Sequence, residues 1–242
     1  MRIICATVGL CVESANIVGY QTPDVQSAVA LGIDTFNPVS GESFDIQSLK
    51  VSGDGIGAGQ VQIQTITPTA ETGRTFFWIP ESEAGDYDME HEGWYDADEF
   101  TQAVKTFDVG EGFVTMNDFG DGATITYAGA VPMGATEVVI APAVAVSGNS
   151  TPVDVDIQSI VVTADGIGAG QVQIQTLTAT AETGRTFFWI PASEAGDYDM
   201  EGEGWYDADE FVQAEKTFLA GEGFVTMNDF GEGAKLVLPS PL

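Results

Sequence analysis

Val61-Gln62-Ile63-Gln64-Thr65-Ile66 alternates apolar and polar residues, and the run returns as Val172-Gln173-Ile174-Gln175-Thr176-Leu177. Strict alternation sends successive side chains to opposite faces of an extended chain, so each run reads as a half-buried strand. Working outward, the match extends over Asp45–Ala123 and Asp156–Ala234 at a constant offset of 156 − 45 = 111, with about five in six paired positions identical. That period is far above the roughly 20 to 50 residues of solenoid repeats, so each copy reads as a domain of its own.

The same alternation appears at Phe113–Met116, at Thr124–Tyr127, at 224–227 and near Leu236. Glycine-rich breaks at 53–59, 71–73, 110–112 and 120–122 supply the positive φ that tight turns need. Short strands interrupted this often predict an all-β fold, here two tandem β-sandwich-like or small-barrel domains from an internal duplication, spanning 15–130 and 131–242. Val25–Ile33 and Glu137–Val146 read as the opening strands of the two units. Asp96 and Glu99 have capping-box spacing ahead of Phe100, Val104 and Phe107, which allows a turn or two of helix. Glu215 stands where Val104 stands in the first copy, which favours an edge strand or loop there.

The chain has 242 residues, 44% hydrophobic, with 37 acidic against 7 basic side chains and a formal charge of −30. So few cations exclude phosphate neutralisation and anionic bilayers, and with them nucleic acid and membrane surfaces as partners. Residues 1–14 combine Arg2 with an apolar run too short to span a bilayer and suited to a signal peptide cleaved before Ala15. The alternative for that segment is a buried first strand. Export implies a secreted or cell-surface protein, without membrane insertion once the signal is removed. Both cysteines, Cys5 and Cys11, fall inside the segment, leaving no disulfide in a processed chain.

The densest acidic stretch, Glu81–Glu99, is repeated at 192–210. From Asp88, acids fall at Glu90, Glu92, Asp96 and Glu99 with Gly93 at the sixth position, the spacing of a twelve-residue calcium loop. Asp199, Glu201, Glu203, Asp207 and Glu210 repeat it around Gly204. Glu at the third and fifth positions and Tyr at the eighth depart from that loop, so Ca2+ binding and a solvated acidic loop both stand open. Trp94, Tyr95, Trp205 and Tyr206 beside these acids suit a sugar-binding platform, or a core.

His91 is the sole histidine and its counterpart is Gly202, so a role required of both units excludes it. A Ser-His-Asp or Cys-His arrangement is likewise denied to the second unit. Gly53–Gly59 leads into a strand instead of a helix and reads as a strand connection rather than a phosphate loop. Arg74 and Arg185 are expected to pair with a local acid and fix a hairpin.

Asn16-Ile17-Val18-Gly19-Tyr20, Gly93-Trp94, Gly110-Glu111-Gly112-Phe113-Val114 and Gly129-Ala130-Val131 together resemble a class of uncharacterised bacterial exported all-β repeat proteins. These have an Asn-Ile-Val-Gly-Tyr start and a Gly-Glu-Gly-Phe turn before an apolar strand. The resemblance covers most of the first unit and the second from Asp156 onward. It implies secretion and an all-β fold and names no activity.

The expected role is therefore a non-catalytic structural or adhesive component of the cell surface or matrix, calcium-stabilised if the loop holds. Its partner would be a surface or matrix protein or polysaccharide, with self-association open. A carbohydrate-binding module is the alternative, and a glycoside hydrolase using the loop carboxylates a second.

Overall fold

The structure, a computed structural model, describes residues 20–29, 32–89, 91–120, 122–132, 134–179, 182–198, 200 and 202–241. The expected signal segment and Asn16–Gly19 of the opening motif lie outside the described residues.

The first unit contains β1 (Tyr20–Val29), β2 (Gly32–Phe36), β3 (Phe44–Asp45), β4 (Lys50–Ser52), β5 (Val61–Gln64), β6 (Thr75–Ile79), β7 (Gly93–Asp96), β8 (Thr106–Phe107), β9 (Phe113–Asn117) and β10 (Ala123–Val131). The second contains β11 (Thr136–Ile140), β12 (Ala143–Gly148), β13 (Val155–Asp156), β14 (Val161–Thr163), β15 (Val172–Gln175), β16 (Thr186–Ile190), β17 (Gly204–Asp207), β18 (Thr217–Phe218), β19 (Gly223–Asn228) and β20 (Ala234–Leu238). Each unit pairs a three-stranded sheet with a five-stranded one, β1-β10-β4 with β2-β9-β5-β6-β7 and β11-β20-β14 with β12-β19-β15-β16-β17. The fold is all-β and sandwich-like, and the sheets are open, with no closed barrel among the described residues.

The alternation that opened the sequence reading sets the layers. Val61 and Ile63 of β5 are fully buried while Gln62 and Gln64 face outward, half-buried. Ile63, Phe76, Trp78, Trp94 and Phe113 of the large sheet meet Val51, Ile125 and Tyr127 of the small one in a single core. Ile174, Phe187, Trp189, Trp205 and Phe224 meet Val138, Val162 and Leu236 in the same way. Closing two sheets on one apolar layer is the ordinary way a sheet hides its hydrophobic face.

Two expectations change in detail. Glu137–Val146 holds two strands, β11 and β12, which join different sheets. The 96–107 segment forms no helix. Asp96 Oδ1 accepts the Asp98 and Glu99 amides, Phe100 N donates to the Asp96 carbonyl, and Phe107 is drawn into β8 against β3. The capping carboxylate thus closes a tight turn, and the left-handed φ of Phe100, 54°, prevents the helix from propagating.

The two units are bonded face to face. Thr35 N donates to Leu177 O at 3.0 Å, and Val146 N donates to Ile66 O at 2.9 Å. Thr35 and Val146 are counterparts, as are Leu177 and Ile66, so the contact is reciprocal in the manner of an isologous dimer interface. Val114, Val146 and Val225 are buried together between the units, with Met116 and Met227 against them. A Cβ on Gly223 would lie 2.6 Å from Phe36 N, and one on Gly112 2.8 Å from Val146 Cγ1. The Gly-Glu-Gly motif therefore serves close approach of the other unit, besides its turn.

Candidate functional site

The acidic stretch is cut into pieces with different fates. Pro80 starts a single helical turn at Glu81–Ala84, a tighter turn follows at Gly85–Tyr87, and β7 begins at Gly93. The strand takes up Gly93–Asp96 of the calcium register, and Glu99 follows on the turn beyond it. Gly93 admits the half-buried Gln47 side chain, whose Oε1 would be 2.7 Å from a Cβ there. That carboxamide donates to Trp94 O and Ala103 O and accepts from Trp94 N. Gln158 repeats all three bonds in the second unit.

Asp96 is engaged on both oxygens, by Arg74 at 2.8 Å and by the two turn amides. Burial would raise its pKa, but the Arg74 hydrogen bond and the Asp98 and Glu99 amides outweigh that and hold the carboxyl below its ordinary value. Asp207 is held low in the same way, burial being outweighed by the Asp209 amide, the Arg185 hydrogen bond at 3.0 Å and the Glu210 amide. Arg74 also reaches Glu71, and each arginine pairs with a local acid as expected.

Glu92 approaches Lys50 at 3.8 Å, Glu99 and Glu210 stand exposed on the turn, and Glu203 lies on the other side of β17 near Trp189. Glu90, Asp199 and Glu201 lie outside the described residues. Among the described residues no three acidic, histidine or cysteine side chains converge as a metal-holding group. Trp94 and Trp205 are sealed in the core at 0% exposure, their indole N–H groups donating to Leu49 O and Ile160 O. A sugar platform needs an open ring face, so these two rings do not provide one.

Tyr95 and Tyr206, on the opposite face of the same strands, are buried too, at 4% and 1% exposure, so they offer no open ring face either and only underlie the surface there. Each forms the floor of a hollow, about 370 Å³ in the first unit and about 700 Å³ in the second. Their hydroxyls donate to His91 O and Gly202 O, tying the acidic turn down as one wall. Met89 or Met200 stands on that wall, and Phe100 or Phe211 with Gln102 or Gln213 forms the other. Phe77 backs the site, its ring 6.2 Å from Tyr95 and 6.1 Å from Phe100, and Phe188 repeats this at 6.1 Å from both Tyr206 and Phe211.

Phe100 and Phe211 are 65% and 64% exposed and carry φ of 54° and 56°. An L-residue in that region costs about 1–2 kcal/mol, and a bulky aromatic is rarely found there. Sequence reasoning missed both, because Phe100 fitted an apolar helical position. The available signal was that Asp-Ala-Asp-Glu-Phe is kept in both copies although Thr101 and Val104, just after it, are Val212 and Glu215 in the second.

No protein-family model matches the chain, and no curated protein matches it.

Proposed function

We propose that the protein is an exported, non-catalytic adhesive or structural component of the cell surface or matrix, gripping its partner through two corresponding hollows, one in each unit. The observation behind this reading is the duplicated site itself, a Tyr-floored hollow walled by an exposed, left-handed Phe in each unit. Two weak sites on one chain raise avidity through effective concentration, whereas two copies of an active site only double turnover. The reciprocal bonding between the units supports it further, since sites on one body re-engage sooner than sites on a loose tether.

The test is dissociation from immobilised polysaccharides and matrix proteins at low and high density. The intact chain should leave the dense surface at least about tenfold more slowly than the sparse one. Phe100→Ala or Phe211→Ala alone should remove that difference. Equal dissociation from both densities by the intact chain, or no retention on any of these surfaces, would overturn the proposal.

A further inference from the structure

Among the described residues three that are not glycine have positive φ, Asp88, Phe100 and Phe211, and all three line the two hollows. Backbone strain of this kind persists where the surrounding structure enforces it, and it concentrates at ligand clamps. Packing does not account for it here, because the strained rings stand mostly in water. The Asp96 and Asp207 turns, each locked by an arginine and two amides, hold the rings in place without the ring having to be buried.

The chemistry of the walls selects the ligand. Aromatic faces are electron-rich, and a cation centred over one is attracted most when carboxylates stand nearby. Asp88 lines the first hollow, and Glu210 and Glu215 line the second. Among the described residues no lysine or arginine is left to spare for them. Lys50, Arg74, Lys105, Arg185, Lys216 and Lys235, the six basic side chains among the described residues, are all in ion pairs with acids. Arg185, which borders the second hollow, is held at 3.0 Å by Asp207. The surrounding charge of −30 draws any basic partner toward the surface.

We propose that each hollow receives a lysine or arginine side chain from an extended basic peptide segment of a partner, its cation clamped between the Phe100 or Phe211 ring and the rim carboxylates. This rests on the adhesive reading above and names the class of partner for it. A hollow of about 370 Å³ is many times the ~30 Å³ share of a water molecule in the liquid and takes a long side chain. Glu215 in place of Val104 makes the second hollow the more acidic, and thus the tighter and more salt-sensitive of the pair.

The probe is the peptide acetyl-Gly-Gly-Arg-Gly-Gly-amide, titrated calorimetrically into the full chain at about 0.15 M ionic strength, beside its citrulline counterpart, which keeps the shape and loses the charge. The expected result is saturable binding of two peptides per chain, weakened at least about tenfold by citrulline and by the joint Phe100→Ala and Phe211→Ala change, and retained with Trp at both positions. The alanine variant keeps the net charge, so unchanged binding to it would leave only general attraction to an acidic surface and sink the proposal. Neutral oligosaccharides binding in place of the peptide, with loss in the same variant, would also overturn it in favour of a sugar site. If the peptide does not bind while surface retention still requires both phenylalanines, the cationic ligand is wrong and the adhesive reading stands. If the peptide binds and no surface retains the chain, the adhesive reading fails alone.

Discussion

Phe211 and Phe187 are the same residue type in opposite circumstances, and the difference sets what each contributes to stability. Phe187 is fully buried in the second core, so Phe187→Ala is expected to cost about 3–5 kcal/mol in chemical denaturation. Phe211→Asn removes an equally large ring, yet the lost contact with Phe188 is worth only about 0.5–1.5 kcal/mol beyond its area. Relief of the left-handed backbone returns about 1–2 kcal/mol, because Asn adopts that conformation readily. Denaturation midpoints should therefore place Phe211→Asn within about 1 kcal/mol of the natural chain while ligand retention falls. A loss as large as that of Phe187→Ala would mean the ring is a structural plug. Such a residue is hard to read in a sequence, because an apolar side chain signals burial and nothing local announces that φ is positive. Arg74 was easier, since an isolated cation among acids has little else to do than pair, and it does so with Glu71 and Asp96.

Strands with period-two alternation were legible because alternation and burial have one cause, as Val61 and Ile63 demonstrate against Gln62 and Gln64. β7 was not, since all four of its residues are buried, two sides being covered at once by the core and by the acidic turn. Its pattern therefore looked like part of a loop, and Gly93 looked like an ion-loop hinge when it is in fact a seat for Gln47. The outward valines of β9 and β12 were equally opaque, because they are apolar on the side away from their own unit's core. They are explained by the neighbouring unit. Gly223 tests that contact directly: its Cβ would press on the Phe36 amide and the Thr35 carbonyl carbon at 2.6 Å, both belonging to the other unit. Backbone cannot rotate aside as a side chain can, so Gly223→Ala is expected to cost about 1–3 kcal/mol. Gly231→Ala, with nothing within 4 Å, serves as the control and should change stability little. Equal effects from the two substitutions in thermal unfolding would show that the interface is not close-packed at β19.

At the scale of the whole molecule, the acidity acts on stability with two opposite signs. Asp34 stands at the junction of the units, and burial raises its carboxyl above the ordinary value, with the Thr35 and Ala179 amides and Lys216 opposing and Glu222 assisting. A carboxyl with a raised folded value disfavours folding while ionised, so stability should rise as pH falls from 7 through that value. Relief of mutual repulsion in a chain of charge −30 adds to the same rise. Asp96 and Asp207 work the other way. Their folded values are depressed, so their contribution is complete above the unfolded value of about 3.9 and disappears as pH falls through the lower folded values. Melting temperature should thus climb on mild acidification, pass a maximum above about pH 4, and then drop. Asp34→Asn separates the local part from the global one. The variant should melt higher than the natural chain at pH 7, and the gap should close as acid protonates Asp34 in the natural chain, because both then carry a neutral group at the junction. A gap that stayed constant across the titration would mean that Asp34 is not titrating between the units, and the rise would then belong to surface repulsion alone.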